Sequence, residues 1–178
     1  MSRVTVTWCA LLDYVVVECH VESIYTYTAN AHWTGARTGS VTPEEMKLPV
    51  FFNAPPEFGG EAGHWTPEHM LMAAVASCYV ATFSAVAQNS KFEFFDLEVA
   101  VDGILKKEDA GWRFTEVIIR PTLTIGNAAH EERGNRLLQK AERGCLIARS
   151  LSAKVSLEPC VQIPNNEFVE EADLVFAE

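Results

Sequence analysis

Thr66-Pro67-Glu68-His69-Met70-Leu71-Met72-Ala73-Ala74-Val75-Ala76-Ser77-Cys78-Tyr79-Val80-Ala81-Thr82-Phe83-Ser84-Ala85-Val86-Ala87-Gln88-Asn89 is the stretch on which the fold of this 178-residue chain turns. Thr66 is an N-cap residue, Pro67 suits the first helical position and Glu68 puts a negative charge in the first turn, so a helix starts here and runs to about Asn89. From Met70 to Ala87 there is no formal charge. Apolar side chains fall on every face rather than on one stripe, which is the pattern of a helix buried all round. Eighteen such residues sit at the short edge of the roughly 17 to 25 that cross a bilayer. Ser77, Thr82, Ser84 and six alanines lower the hydrophobicity, and no second span or basic flank supports a membrane. The reading is a central helix, with no membrane partner. A chain of this size struggles to surround such a helix alone, so a homodimer is expected.

Outward from that helix, the pattern is of strands. Ser23 to Phe52 holds two or three β-type runs broken by Gly35, Gly39 and Pro43, an antiparallel meander, followed by a loop with Pro55, Pro56, Gly59, Gly60 and Gly63. On the other side, Phe95 to Lys106 and Trp112 to Ile125 flank the turn residues Glu108 to Gly111 and predict a long hairpin. Asn127 then caps a second helix, with Leu137, Leu138, Ala141, Cys145 and Ala148 at helical spacing and Arg133, Arg136, Lys140 and Arg143 facing away. Alternation from Lys154 to Ile163 predicts a closing strand before an acidic tail. The class is α+β, with antiparallel sheets around two central helices. Residues 1–22 are a β-rich extension without an assigned role, and 23–178 read as a single domain.

Composition narrows the function. Asp and Glu number 24 against 14 Lys and Arg, a net charge of −10, which speaks against a nucleic-acid partner. Five cysteines are too few and too odd a number for a secreted disulfide framework, and no C-x-x-C pair suggests a zinc ribbon. Reduced thiols in a cytoplasmic protein are expected. Met1 to Val21 is apolar but contains Asp13 and lacks a basic n-region, so neither a signal peptide nor an anchor is read there.

Cys78 lies about twelve residues into the first helix, on a face with Leu71, Ala74, Val75, Ala81, Thr82 and Ala85. Either it is a small buried hydrophobe or it is a reactive thiol. Cys145 holds the same relation to its own helix face, and packing the two faces would bring the thiols near each other. A reactive thiol must be largely thiolate, and Cys78 is too far from the helix start for the dipole to help, so a nearby cation is expected. Arg37, in the glycine-bounded Thr34-Gly35-Ala36-Arg37-Thr38-Gly39 segment, is the candidate, and Glu57 could hold its guanidinium in a bidentate pair. Taken singly, each reads more readily as a solvated turn residue. His64 and His69 have the wrong spacing for two ligands on one helical face, so no metal is expected. Cys9, Cys19 and Cys160 read as incidental thiols. Phe51, Phe52, Phe58, Trp65, Met70 and Phe83 could line an apolar pocket or fill the core.

The runs Pro56-Glu57-Phe58-Gly59-Gly60, Trp65-Thr66-Pro67-Glu68-His69-Met70-Leu71, Ala73-Ala74-Val75-Ala76-Ser77-Cys78-Tyr79 and Cys145-Leu146-Ile147-Ala148-Arg149-Ser150-Leu151 resemble the OsmC/Ohr family of osmotically inducible and organic hydroperoxide resistance proteins. The resemblance covers about residues 25 to 163. It implies an intertwined α+β homodimer that reduces organic hydroperoxides with two cysteines. By motif, Cys78 is similar to the peroxidatic cysteine, Cys145 to the resolving one, Arg37 to the catalytic arginine and Glu57 to its partner. The family often has Asn-Pro-Glu where this chain has Thr66-Pro67-Glu68, and Cys-Pro where it has Cys145-Leu146. Thr and Asn both cap helices, so the first departure preserves the local chemistry. The second bears on the chain path at Cys145.

The expectation is a thiol peroxidase that passes through a Cys78 sulfenic acid and a Cys78–Cys145 disulfide. No flavin or nicotinamide motif is present, so no bound cofactor is expected, and the resemblance implies a lipoylated protein or a small dithiol as external reductant. The alternative is a non-catalytic dimeric module that binds apolar small molecules between subunits.

Overall fold

The computed structural model describes residues 24–164, so Cys9, Cys19 and the expected extension over residues 1–22 lie outside the described residues. The chain divides into two compact units, which meet between His64 and Trp65. In the first unit, β1 (Ala29–Gly35), β2 (Thr38–Pro43) and β3 (Val50–Asn53) form the expected antiparallel meander in that order. The β1–β2 bend contains Ala36 at φ 42°, and the Trp33 indole N–H donates to the Ala36 carbonyl at 3.1 Å, which fixes the bend immediately before Arg37. After β3 a single 3-10 turn, Pro56–Phe58, ends on left-handed Gly59. Gly60 admits no side chain, since a β-carbon there would lie 1.6 Å from the Ala54 carbonyl oxygen.

The second unit opens with α1 (Pro67–Asn89), and the Thr66 hydroxyl accepts from the His69 N–H at 3.2 Å as an N-cap should. The hairpin β4 (Asp96–Glu108) and β5 (Gly111–Thr124) follows, then α2 (Glu131–Gly144), α3 (Leu146–Arg149), β6 (Lys154–Leu157) and β7 (Cys160–Gln162). Along β5 the buried residues alternate as Val117, Ile119, Pro121 and Leu123, the period of a strand with one face on the core. Above that face lie Val75, Tyr79, Phe83 and Ala87 of α1 and Leu137, Leu138 and Ala141 of α2. Gly103 lets α1 approach β4, because a β-carbon there would lie 2.6 Å from the Met72 sulfur.

Three details depart from the pattern read in the sequence. First, the closing strand is two strands, and both pair with β5 in parallel, so this sheet is mixed. The interruption falls opposite Arg120 and Pro121, where Pro121 and Pro159 each lack the N–H that a ladder needs. Second, the helix expected to run through Cys145 ends at Gly144; Asn127 caps a 3-10 turn, Ala128–His130, ahead of it, and Cys145 is extended at φ −65°, ψ 110°. Third, α1 is not buried all round within the chain. Val75, Tyr79, Phe83 and Ala87 form one buried stripe, while Ser77, Val80, Ala81, Ser84 and Ala85 are exposed. By length and composition α1 could cross a membrane, but its buried stripe belongs to the core of the unit, as in a central helix.

Candidate functional site

The bend between β1 and β2 turns the chain at Arg37, and the guanidinium folds over the loop that follows β3. Its Nη1 donates to the carbonyl of Phe58. Gly59 lies beneath it, where a β-carbon would sit 3.4 Å from the arginine Cζ. Main-chain pairing from the Ala54 N–H to the Arg37 carbonyl, 3.0 Å, ties the same two segments. Glu57 is exposed and forms no ion pair with Arg37 among the described residues; the guanidinium takes the neighbouring carbonyl instead.

In the second unit, Cys78 and Cys145 meet. Cys78 is half-buried on α1, and Cys145 is fully buried at the junction of α2 and α3, its Sγ 4.0 Å from the Val75 carbonyl oxygen. The extended backbone at Cys145 redirects the chain so that the first amides of α3 face α1. As in any helix, those first amides have no acceptor within α3 itself. Burial pushes the Cys78 thiol up, but the donor groups around it, the Ile147 N–H, the Cys145 thiol, the Thr82 hydroxyl and the Leu146 N–H, favour the thiolate, and the net result is a thiol below its ordinary range. Cys145 moves the other way. Burial raises it, the Ala148 N–H offsets part of that, and the hydrogen bond and negative charge of Cys78 raise it further.

The two thiols therefore have divided roles. Cys78 is lowered and Cys145 is raised, so Cys78 is the thiol that ionises first, while the Cys145 thiol faces the Val75 carbonyl. The sequence led us to expect a cation as the source of thiolate stability, yet the donors just named all lie within the second unit. They depend on backbone direction at Cys145, which residue types alone do not report.

Glu68 was read only as a helix start signal. In the structure its Oε2 is a buried side-chain oxygen with no hydrogen-bond partner among the described residues. A buried polar atom left in that condition costs about 1–3 kcal/mol, so Glu68 is the acidic side chain of this region that calls for a donor. A charged residue directly ahead of an uncharged helical run was the signal available for it.

The histidines do other work. His64 pairs with exposed Glu61 at 3.8 Å, and His69 meets the Thr66 hydroxyl and the edge of Trp65. Among the described residues no cluster of three or more His, Cys, Asp or Glu could hold a metal ion. Cys160 is exposed on β7. Of the aromatic residues, Phe83 belongs to the core, while Phe51 and Trp65 are exposed.

Comparison with known proteins assigns the chain to a family. A family model described as OsmC-like protein matches residues 59–159. The uncharacterized protein YmaD of Bacillus subtilis (strain 168) is 29% identical over 131 residues, spanning 72% of this chain and 87% of its own. Peroxiredoxin OsmC of Escherichia coli (strain K12) is 30% identical over 135 residues, spanning 72% of this chain and 91% of its own. A crystal structure of an organic hydroperoxide resistance protein OsmC from Legionella pneumophila superposes with a TM-score of 0.65 at 25% identity, covering 79% of this chain and 99% of that one. Since the family model covers more than half of the sequence and the relatives are matched over most of their length, the chain belongs to the OsmC family.

Proposed function

We propose that this protein is a thiol peroxidase that reduces organic hydroperoxides to alcohols. The observation that carries the reading is the meeting of two free thiols, Cys78 half-buried on α1 and Cys145 buried at the α2–α3 junction, with the first lowered and the second raised. The Cys78 thiolate attacks the terminal oxygen of the hydroperoxide, so that an S–O bond forms as the O–O bond breaks. The departing alkoxide takes a proton and leaves as the alcohol. Cys78 is then a sulfenic acid. Cys145 attacks that sulfur, an S–S bond forms, and the thiol proton leaves with the hydroxyl as water. An external dithiol, a lipoyl group or a small dithiol, supplies two electrons and two protons to restore both thiols.

Arg37 is the cation of this reading, assigned to the developing negative charge on the peroxide oxygens, and Glu57 is the carboxylate available to orient it. Leu146 and Ile147, whose amides hold the Cys78 sulfur, are exposed by 70% and 37% and form an apolar rim for an organic substituent. The uncovered face of α1 fits a second copy of the chain, hence a homodimer. A reducing, cytoplasmic setting goes with a disulfide that must be reopened at every turnover.

The test is a thiol titration before and after one equivalent of cumene hydroperoxide. The five thiols of the chain should fall to three and return to five with dithiothreitol. An unchanged count would overturn the peroxidase and favour the alternative, a dimeric module that binds apolar molecules without chemistry.

A further inference from the structure

Thr82 stands one helical turn after Cys78 on the same face of α1. Its hydroxyl donates to the Cys78 carbonyl oxygen at 2.7 Å. Ser77 and Ser84 bond back along α1 in the same way, to Ala73 at 2.8 Å and to Val80 at 2.9 Å, but both point to an exposed face. Thr82 differs in its surroundings. Its methyl group faces Gly144 across the helix crossing, where a β-carbon would lie 3.1 Å away. With the methyl so placed, the hydroxyl stays on the side of Cys78, whose thiolate it favours.

We propose that Thr82 is a further catalytic residue of this chain, its hydroxyl turning from the Cys78 carbonyl to the Cys78 sulfur when the thiol ionises. The inference rests on the peroxidase reading only for the consequence in turnover. In the thiol form, the hydroxyl donates to the carbonyl and its oxygen can accept from the Cys78 S–H. When the proton leaves, rotation about the Thr82 C–O bond moves the single hydroxyl hydrogen onto the thiolate. The carbonyl is not orphaned, because the Thr82 backbone N–H remains bonded to it in the helical ladder. The switch exchanges a neutral hydrogen bond for a charge-assisted one, about twice as strong, and so favours the thiolate.

Few other groups compete for the role. Burial acts most strongly on the sulfur, followed by the Ile147 amide of α3, by Cys145, the titratable group among them, and by Thr82 itself, with the Leu146 amide behind. On α1 itself the nearest charged side chain toward the N-terminus is Glu68, roughly 15 Å away along the axis at 1.5 Å per residue. Arg149 and Arg143 on the packed helices are exposed, and the half-buried Glu142 acts on Tyr79. A hydroxyl fixed beside the sulfur is therefore a local donor whose removal leaves the surrounding charges in place.

The experiment is the pH dependence of iodoacetamide alkylation, read at the Cys78 peptide by mass spectrometry, with peroxide consumption measured in parallel. Thr82→Val keeps the shape of the side chain and removes the hydroxyl. Its alkylation midpoint should rise by about one pH unit, a tenfold loss of thiolate well below the midpoint, and its rate should rejoin that of wild type at high pH. Thr82→Ser should keep a midpoint close to wild type, and Ser84→Ala, which deletes an equivalent back-bond on the exposed face, should not move it. Thr82→Ala provides the same comparison if valine does not fit. An unmoved midpoint in Thr82→Val and Thr82→Ala, a uniform loss of reactivity at every pH, or failure of Thr82→Ser to keep the wild-type midpoint would each overturn the proposal. Alkylation needs no peroxide. A shifted midpoint in a protein that consumes no hydroperoxide would support Thr82 and sink the peroxidase reading alone.

Discussion

The Tyr79 hydroxyl, buried completely beneath α2, donates to the Leu138 carbonyl at 2.9 Å and so pins the helix that carries Cys78 to the helix that ends beside Cys145. Burial first, then the negative charges of Glu142 and Cys145, push the phenol well above its ordinary range, so it remains a donor throughout the working pH range. Because Tyr79 is adjacent to Cys78, this bond fixes the height of the thiol along α1 relative to Cys145. Tyr79→Phe should destabilise the protein by about 1–2 kcal/mol, read as a lower denaturant midpoint. It should also slow disulfide closure more than sulfenic acid formation. Stopped-flow traces in which both phases change equally would argue against a positioning role.

The opposed shifts of the two thiols predict unequal consequences for their removal. Cys78→Ser should abolish even the first turnover. Cys145→Ser should still consume one equivalent of peroxide and then stall at a sulfenic acid that dimedone traps. In Cys145→Ala, which leaves no donor at that position, the Cys78 thiol should titrate higher than in wild type, since the Cys145 thiol is among the donors that lower it. Normal dithiol-dependent turnover by Cys145→Ser would assign resolution to another thiol.

Much of this architecture was legible in the sequence, and the exceptions share a cause. Thr66, Pro67 and Glu68 announced α1 because capping is local chemistry, and its bounds agree from Pro67 to Asn89. The β4–β5 hairpin was equally plain from its turn and its alternation. By contrast, alternation identifies a strand without naming its partner's direction, so the parallel pairing of β6 and β7 was out of reach. The break at Cys145 was signalled only by Gly144, one residue earlier, and was outweighed by the helical spacing of Cys145 and Ala148. The two cysteines were readable by motif. The donors to Cys78 were not, because Leu146 and Ile147 act through amides whose direction is set by that break, and Thr82 acts through a side chain whose orientation depends on its neighbour across the helix crossing.

Substrate choice should follow the apolar rim formed by Leu146 and Ile147. If an organic substituent buries about 80–110 Å² more apolar surface than hydrogen peroxide can, the gain is about 2–3 kcal/mol, or roughly thirty- to a hundredfold in kcat/KM. Cumene hydroperoxide should therefore outpace hydrogen peroxide by that factor, and Leu146→Ser should reduce the ratio while leaving the hydrogen peroxide rate nearly unchanged. Equal rates for both peroxides in the wild-type protein would argue against the rim.

The exposed residues Ser77, Val80, Ala81, Ser84 and Ala85 recur at the spacing of one helical stripe, small enough for another helix to approach closely. Left uncovered, this face would expose Val80 and its neighbours to water over the middle turns of α1. The protein should therefore elute as a dimer, with its mass confirmed by light scattering. Val80→Glu would put a charge in the contact and should dissociate or aggregate the protein. A stable wild-type monomer would show that the stripe needs no cover.

Arg37 provides the sharpest separation of two kinds of electrostatic help. Were it the cation that makes Cys78 a thiolate, its loss would raise the thiol by several pH units, and activity would return at high pH. The hydrogen bonds from Ile147, Cys145, Thr82 and Leu146 already account for a lowered Cys78. Arg37→Met should therefore shift the alkylation midpoint of Cys78 by less than one pH unit. Peroxide reduction should nonetheless fall about a hundredfold, the scale of losing one donor to a transition-state charge, and should stay low as the pH rises. Glu57→Gln should be milder, since the Arg37 guanidinium is held by the Phe58 carbonyl rather than by that carboxylate. Thiolate absorbance near 240 nm and single-turnover rates across pH, measured for the wild-type protein and both variants with Cys78→Ser as the blank, make the distinction. Recovery of Arg37→Met at high pH would return the thiolate-forming role to Arg37, whereas unimpaired turnover at neutral pH would remove it from the chemistry.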